Sequence, residues 1–162
     1  MSKVAVIGGG AGGMMAACIA AGNGHHVTVF EQNEKLGKKI YITGKGRCNL
    51  TNACDTEDLF AAIMKNAKFL YSAIYTFDNH ALMDYFAGLG LKMKIERGNR
   101  VFPQSDHASD VIRVLTDELH RKKVRICLNT KVQEIISDGT KVTGVRWDCH
   151  DTHQKNQIEA FD

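Results

Sequence analysis

The sequence lacks the features that mark a protein for export, for a membrane or for a metal. No secretory signal follows Met1, and the longest apolar stretch, residues 14–21, is far too short to cross a bilayer. The five cysteines are an odd number and form no Cys-x-x-Cys pair, which argues against a disulfide framework and a structural zinc site. We therefore expect a cytoplasmic protein with no membrane partner and no metal.

A strong excess of charge is also missing. Lys and Arg number 21 against 18 Asp and Glu, and the densest basic segments, residues 38–39 and 121–123, are short. This balance does not favour a nucleic-acid partner. Hydrolytic catalysis is not indicated either, because no paired carboxylates or nucleophile–base arrangement stands out. With 44% hydrophobic and 24% charged residues, the 162-residue chain has the composition of one or two soluble globular domains.

The beginning of the chain predicts a β-α-β unit. Residues 4–7 form a short apolar run rich in β-branched side chains, which is typical of a strand buried on both faces in a parallel sheet. A glycine-rich turn and a predicted helix over residues 14–21 follow. Residues 27–30 then predict a second buried strand, which completes a unit of about 30 residues.

The rest of the chain predicts a mixture of helices and an antiparallel meander. Residues 33–52 read as a loop, and Asp55 reads as the cap of a helix that continues to Ala67. The other predicted elements are helices over residues 79–89 and from Ser105 or Asp106, strands over 91–96 and 100–102 around a turn at 97–99, a buried strand over 124–128, and three consecutive strands over 131–137, 141–148 and 157–161.

The glycine-rich turn carries the clearest functional signal. Gly8, Gly10 and Gly13 follow the Gly-x-Gly-x-x-Gly pattern between a strand and a helix, as in dinucleotide-binding proteins. Gly8 permits the tight turn, Gly10 lets a pyrophosphate approach the backbone, and Gly13 allows close helix–strand packing. Glu31 ends the second strand, where its carboxylate can accept hydrogen bonds from a ribose diol. NADP is disfavoured at this site, because the carboxylate would repel its 2′-phosphate. This pattern does not separate NAD from FAD.

A second glycine-rich segment, residues 37–52, favours the longer of these two cofactors. Its glycines permit close backbone approach, and polar side chains such as Thr43, Arg47 and Asn49 supply donors and acceptors. FAD is longer than one β-α-β unit can hold, so an additional loop of this kind is expected to wrap it.

These segments resemble a bacterial family of FAD-dependent proteins described as NAD(P)/FAD-dependent oxidoreductases or aminoacetone-oxidase-like, with bile-acid-reducing relatives. The resemblance rests on the glycine pattern, on residues 43–52 (TGKGRCNLTN), on residues 98–105 (GNRVFPQS) and on the strand containing Val132. It implies a Rossmann-like, FAD/NAD(P)-binding, three-layer β-β-α fold with an antiparallel β-meander. Residues 1–162 would be the N-terminal part of that domain, without the return strand, substrate domain and C-terminal segment of the family.

The resemblance also implies a set of cofactor-binding residues. Ala11 and Gly12 would face the pyrophosphate, and Glu31 would face the adenosine ribose. Val132 would contact adenine through its backbone. The remaining residues would lie beside the adenosine and phosphates (Gln32, Lys38, Lys39) or along the ribityl chain and flavin (Gly44, Gly46, Arg47, Cys48, Asn49).

The predicted function is therefore the FAD-binding part of a flavoprotein oxidoreductase. Through FAD, the protein would transfer hydride or electrons between a reduced donor, with NAD(P)H as a candidate, and a small organic acceptor. The catalytic residues, substrate and oligomeric state are not indicated. Two alternatives remain open: a non-catalytic NAD-binding regulatory module, and a fragment that has no activity and binds FAD weakly or not at all.

Two further groups of residues are candidate sites. Cys48 lies in the predicted flavin loop, but no neighbouring His or Cys would activate it, so an ordinary loop cysteine is the preferred interpretation. Cys149, His150 and His153 could bind a metal, but a solvated turn is preferred.

Overall fold

The computed structural model describes residues 1–43 and 45–162. These divide into two compact units, the first formed by residues 1–40 with 115–162 and the second by residues 41–114. Two helices, α2 (Lys38–Ile42) and α6 (Ala108–Arg121), run across the division. No helix in the described part of the chain is long and apolar enough to span a bilayer.

The first unit contains the predicted β-α-β unit. Strand β1 (Lys3–Ile7), helix α1 (Ala11–Gly22) and strand β2 (His26–Phe30) follow one another, and β1 pairs with β2 in parallel. Strand β6 (Arg125–Cys127) pairs with the other side of β2, which gives the order β1-β2-β6. The parallel sheet predicted from the sequence is confirmed.

The expected burial of these strands is correct only for the central one. Residues 27–30 of β2 are buried, whereas residues 4–6 of β1 are half-buried and Ile7 is 51% exposed. Strand β6 is likewise half-buried and shorter than the predicted residues 124–128. Both strands lie at edges of the three-stranded sheet, so each has a neighbouring strand on one side only.

A meander of three antiparallel strands forms the second sheet of this unit. It consists of β7 (Thr130–Ser137), β8 (Val142–Cys149) and β9 (Gln154–Ala160), in chain order. The predicted turn between the first two is present, with the Asp138 carboxylate accepting from the N–H groups of Thr140 and Lys141 at 2.9 Å. The three predicted strands are confirmed with shifted ends.

The three layers are held together by two apolar contacts. Phe30, Val145 and Phe161 form a buried cluster between the parallel sheet and the meander, with the Phe30 and Phe161 rings edge to face at 5.9 Å. On the helical side, Met14, Ala17 and Cys18 of α1 are buried, as are Leu115 and Leu119 of α6. The Cys18 thiol donates to the Leu115 carbonyl at 3.9 Å. This confirms the three-layer β-β-α arrangement.

The second unit is built on a small antiparallel sheet in the order β3-β5-β4. The strands are β3 (Thr51–Asn52), β4 (Met93–Glu96) and β5 (Arg100–Pro103), and the helices are α3 (Thr56–Ala61), α4 (Tyr71–Thr76) and α5 (Asn79–Gly88). Two 3₁₀ turns cover Thr43–Gly46 and Ala67–Leu70. The predicted strands and the helix over residues 79–89 are confirmed.

Two predictions for this unit were wrong. The segment 33–52 is not a plain loop, because it contains α2, a 3₁₀ turn and β3, all too short to show a period in the sequence. The helix after Asp55 ends at Ala61 instead of Ala67, and α4 was not predicted. Asn66 has a left-handed φ of 55°, which interrupts a helix, and neither α3 nor α4 has a buried residue to impose a clear apolar stripe.

Candidate functional site

The glycine-rich turn leaves an open face at the beginning of α1. Gly10 is the N-cap residue, with extended backbone, and the first turn of α1 carries no acidic side chain. Gly10, Ala11 and Gly12 are exposed, and a Cβ atom built on Gly10 or Gly12 would meet no atom within 4 Å. The first N–H groups of a helix lack intrahelical acceptors and carry partial positive charge. This face is therefore suited to a diphosphate.

Two other glycines are required, Gly8 by its backbone conformation and Gly13 by packing. Gly8 has a φ of +100°, which supports its predicted role in the tight turn. A Cβ on Gly13 would lie 1.9 Å from the Gly8 carbonyl oxygen and 3.4 Å from a Val6 methyl group. The predicted close packing of helix on strand at Gly13 is confirmed.

Gly9 was not predicted to have a role, yet it connects the turn to the end of β2. Its N–H donates to Glu31 Oε2 at 2.7 Å, and its carbonyl accepts from the Gly37 N–H at 2.8 Å. A Cβ here would lie 2.3 Å from a methyl group of Leu36 and 3.2 Å from Glu31 Cβ and Oε2, so a side chain would require this packing to shift. The variable position of the Gly-x-Gly pattern is thus closely packed in this chain.

Glu31 is a buried carboxylate with several fixed donors. Only 7% of the residue is exposed, and Oε1 accepts from both the backbone N–H and the side-chain amide of Asn33, at 2.8 and 2.6 Å. An ionised carboxylate offers about four lone-pair sites. Three donors therefore hold the group in place and leave Oε2 able to accept from a ribose hydroxyl.

The loop after Glu31 contains the three residues that were predicted to lie beside the adenosine and phosphates, and they differ in their contacts. Gln32 and Lys39 are exposed, and within residues 1–43 and 45–162 no hydrogen bond or ion pair defines a role for either. The Lys38 ammonium donates to Asn33 Oδ1 and to Glu34 Oε2, both at 3.1 Å. The structure thus gives Lys38 a role in holding the loop, through the same asparagine that holds Glu31.

Val132 lies in the meander near this site. Thr130, two residues earlier, donates its N–H to the Glu31 carbonyl at 2.9 Å. The Val132 side chain packs against the apolar cluster around Phe30, and a bulge follows it in β7. Because β7 is an edge strand, its outer backbone groups face away from β8. This arrangement is compatible with the predicted backbone contact to adenine.

The second unit contains the predicted flavin-loop residues. Gly44 lies outside the described residues. Gly46 has a left-handed φ of 86°, Asn49 is exposed, and Cys48 is buried with a φ of 57°. Burial raises the pKa of the Cys48 thiol, which keeps it protonated at neutral pH. The preferred interpretation of Cys48 as an unreactive loop cysteine is therefore supported.

Arg47 is engaged within its own unit. Its guanidinium donates to Asp106 Oδ1 from Nε at 2.8 Å and also to Glu96, and it stacks on the Phe102 ring at 4.3 Å. Lys94 completes the network by donating to Asp106 Oδ2 at 2.5 Å. The charge of Arg47 is thus balanced by carboxylates, and the structure gives this residue a role in fixing the segment to β4 and β5.

The residues of the first unit fit the dinucleotide predicted from the sequence. An open helix N-terminus can receive the diphosphate, and a fixed, buried carboxylate can receive the ribose. No cluster of three metal-ligating side chains occurs in the described part of the chain. The arrangement can bind and orient a dinucleotide.

Comparison with known proteins agrees with this geometry. The family model described as the Rossmann domain of HI0933-like protein matches residues 2–160. The 3-dehydro-bile acid delta(4,6)-reductase of Clostridium scindens is 39% identical over 137 residues, which cover 83% of this chain and 33% of that protein. The ribosomal RNA dihydrouridine synthase of Haemophilus influenzae is 29% identical over 98% of this chain and 40% of its own length.

Solved structures show the same fold. The 3-ketosteroid-delta4-(5alpha)-dehydrogenase of Rhodococcus jostii RHA1 superposes with a TM-score of 0.70 at 14% identity, over 98% of this chain and 43% of that one. A flavocytochrome c3 fumarate reductase in its open conformation superposes with a TM-score of 0.70 at 17% identity, over 97% of this chain and 31% of that one. At these identities the likeness concerns the fold, and it confirms the predicted Rossmann-like, FAD-binding α/β fold.

Proposed function

Because this chain belongs to the HI0933-like family and spans its Rossmann domain, we propose that it binds FAD through the N-terminus of α1 and the carboxylate of Glu31. The family resemblance seen in the sequence is thereby confirmed, and it supports FAD as the cofactor. The observation that carries the proposal is the coupling of the open glycine turn to a fixed carboxylate through Gly9.

Different residues of the chain would bind the diphosphate and the ribose of FAD. The N–H groups at the beginning of α1 would bind the diphosphate, with Gly10 and Gly12 leaving room for its approach. Glu31 would accept from a ribose hydroxyl, and Gly9 and Asn33 would keep its carboxylate oriented. When bound, FAD supplies the redox chemistry by accepting and releasing hydride, so the chain needs no catalytic side chain for that step.

We further propose that the acceptor is a carbon–carbon double bond conjugated to a carbonyl group. The bile-acid relative is named as a reductase of 3-dehydro compounds with double bonds at positions 4 and 6, and the dihydrouridine synthases are named for a saturated uracil ring. In the bile-acid compound, the ketone at position 3 is conjugated with the double bonds. In uracil, a ring carbonyl is conjugated with the double bond that becomes saturated. Both named reactions therefore add hydrogen across the same chemical grouping.

The chain corresponds to only part of its curated relatives, so the activity of a whole protein of this kind is a proposal. The chain spans about a third to two-fifths of the length of the curated relatives that it matches. The return strand, substrate domain and C-terminal segment of the family, the NAD(P)H donor, a cytoplasmic location and the absence of nucleic-acid or membrane partners all remain predictions.

Cofactor binding can be tested on the 162-residue chain. Trp147 is the only tryptophan and lies in the first unit, so quenching of its emission on titration with FAD reports binding there. FMN, which lacks the adenosine half, and NADH serve as comparison ligands. We expect FAD to bind more tightly than either. Tighter binding of NADH would favour the regulatory NAD module, and absence of binding by all three would contradict the proposed site.

The reaction can be tested with reduced flavoprotein. FAD bound to the protein is reduced anaerobically and mixed with a 3-keto-4-ene steroid, with uridine or with the saturated ketone that matches the steroid. We expect reoxidation of the flavin by one of the conjugated acceptors and not by the saturated ketone. Equal reoxidation by the saturated ketone, or none by either conjugated compound, would overturn the proposed acceptor class while leaving FAD binding intact.

A further inference from the structure

The two short helices α3 and α4 of the second unit leave a group of aromatic side chains exposed. Tyr71 and Tyr75 lie one turn apart on α4 with their rings stacked at 4.5 Å, and they are 55% and 48% exposed. Phe60 of α3 packs edge to face on Tyr71 at 5.7 Å. The connection between the helices adds Met64 and Phe69, which are 97% and 86% exposed. These five residues form the α3–α4 face.

The α3–α4 face is large for a surface that water alone covers. At about 200 Å² for a fully exposed large side chain, its members present on the order of 600 Å² of mostly apolar surface. Monomeric proteins rarely expose a contiguous apolar patch of more than a few hundred Å², and each partner of a standard protein–protein interface contributes about 800 Å². With a charged rim, the face has the size of one side of an interface.

The two helices run antiparallel. The Thr56 hydroxyl, at the beginning of α3, donates to Asp78 Oδ2, just beyond the end of α4, at 2.9 Å. Phe60, near the end of α3, meets Tyr71, which is the first residue of α4. One end of the face is therefore formed by the beginning of α3 and the end of α4, and the other end by the connection between the helices.

Charges of opposite sign occupy these two ends. Asp55, Glu57 and Asp58 lie at the beginning of α3, and Lys65 and Lys68 lie in the connection. All five are exposed, and no ion pair within residues 1–43 and 45–162 engages any of them. Between residues 59 and 77 the chain contains no Asp or Glu. The face thus has an aromatic centre, an acidic end and a basic end.

We propose that two copies of this chain associate through the α3–α4 face about a two-fold axis. A two-fold interface uses the same patch on both subunits, so the patch must complement itself. Rotation by half a turn about the aromatic centre places aromatic side chains on aromatic side chains and the acidic end of each copy on the basic end of the other. The rings supply the apolar burial, and the charges set the orientation.

The charge pattern favours a second copy over an anionic partner. A nucleic acid or an anionic lipid surface would be attracted by Lys65 and Lys68 and repelled by the three carboxylates at the other end. The proposal is also independent of FAD binding, because Gly9 and Glu31 belong to the first unit and the test measures mass.

Association is tested by analytical ultracentrifugation of the 162-residue chain from micromolar to submillimolar concentration. We expect the mass to rise from that of one chain to that of two and no further, with weaker association at high salt. Phe69→Ser should raise the dissociation constant at least about tenfold. Ile158→Ser is the matched control, because it removes a 62% exposed apolar side chain from β9, and it should leave the constant within about twofold.

Exchange of charges tests the orientation of the two copies. The double variant Lys65→Glu with Lys68→Glu makes both ends of the face acidic, and Glu57→Lys with Asp58→Lys makes both ends basic on balance. Each variant alone should associate at least about tenfold more weakly than wild type, because like charges meet. An equimolar mixture should form a mixed dimer at least as tight as the wild-type dimer, and its formation shows that both variants are folded.

Four results would overturn the proposal. The first is the mass of a single chain at every concentration, and the second is a mass that grows beyond two copies, which indicates a contact that does not close. The third is a mixture of the charge variants that associates no more tightly than its components. The fourth is binding to phosphatidylglycerol vesicles by a chain that stays monomeric, which would assign the face to a lipid surface.

Discussion

The carboxylate of Glu31 accepts a hydrogen bond from the backbone N–H of Gly9, with 2.7 Å between Oε2 and the amide nitrogen. This bond joins the end of β2 to the glycine turn that begins α1. The carboxylate is therefore both a binding group for the proposed ribose and a structural clamp on the proposed phosphate site. A change at Glu31 should affect stability and cofactor affinity together.

Glu31→Gln tests this double role. Gln has one acceptor oxygen and one NH₂ donor, so at least one of the three donors from Gly9 and Asn33 would face another donor. Since hydrogen bonds to charged groups contribute about 1.5–3 kcal/mol, we expect the free energy of unfolding to fall by about 2 kcal/mol. Urea unfolding followed by Trp147 emission measures this, and titration with FAD should show at least about tenfold weaker binding.

Glu34→Gln is the matched control. Glu34 is exposed and accepts only from Lys38 among its side-chain contacts in the described chain, so we expect almost no change in the free energy of unfolding. Equal behaviour of the two variants would show that Glu31 has no special role.

Gly13→Ala and Gly12→Ala separate packing from binding. At Gly13 the added Cβ would lie 1.9 Å from a backbone oxygen that cannot move aside, so we expect a loss of at least about 3 kcal/mol in the free energy of unfolding. At Gly12 the Cβ meets nothing, and alanine is the better helix former by up to about 1 kcal/mol. Gly12→Ala should therefore fold well.

The FAD affinity of the same pair completes the test. In Gly12→Ala the new methyl group projects onto the open face of the turn, where the diphosphate is proposed to approach. We expect about tenfold weaker FAD binding by a protein of normal stability. Unchanged affinity would place the diphosphate elsewhere, and a stable Gly13→Ala protein would contradict the packing argument.

The sequence alone was sufficient for the parts of the fold that have a period or a spacing. The β-α-β unit, the meander and the positions of Gly8, Gly13 and Glu31 follow from runs of apolar residues and from the glycine pattern. Gly9 and Asn33 could not be found in this way. The role of Gly9 depends on its contact with Glu31, which is 22 residues away, and the role of Asn33 depends on a local turn that brings it back to Glu31. The only signal in the sequence was that Gly9 is a glycine at a position where the Gly-x-Gly-x-x-Gly pattern accepts any residue.

The second unit shows the opposite situation. Residues 43–52 were informative for the family, yet their structure was missed, since α2 and β3 contain five and two residues. Arg47 was expected along the flavin because of its position in the motif. Its carboxylate partners, Glu96 and Asp106, come from β4 and from the segment before α6, and no spacing in the sequence connects them to it.

The Arg47 network predicts acid sensitivity of the second unit. Hydrogen bonding to Arg47 is the main cause that lowers the pKa of Glu96 below its ordinary 4.5, and hydrogen bonds from Lys94 and then Arg47 lower that of Asp106 below 3.8. A lowered pKa in the folded state means that the unfolded state binds protons first. The stabilisation is therefore complete above about pH 4.5 and is lost as the pH falls through the folded-state values.

Arg47→Met should reduce this pH dependence. Methionine keeps an apolar contact with Phe102 but removes the cation, so the two carboxyl groups should titrate closer to their ordinary values. We expect lower hydrogen-exchange protection factors, which are corrected for the intrinsic pH dependence of exchange, over residues 93–103 at neutral pH and a smaller further decrease of these factors on acidification. Arg100→Met is the control, because Arg100 lies 5.9 Å from the same ring and donates to the Arg97 carbonyl. Identical pH profiles for wild type and Arg47→Met would contradict this account.

The contact between Phe161 and Phe30 predicts how the meander is held to the parallel sheet. Phe161 follows β9, is 7% exposed, and lies edge to face on Phe30, while Ile158 within β9 is 62% exposed. Truncation of a buried phenylalanine leaves a cavity and costs about 3–5 kcal/mol, so Phe161→Ala should shift the urea midpoint strongly. Ile158→Ala removes an apolar side chain from β9 itself, three residues earlier, and should cost less than about 1 kcal/mol. If the two substitutions had equal effects, the meander would be held by its own strand pairing and not by this cluster.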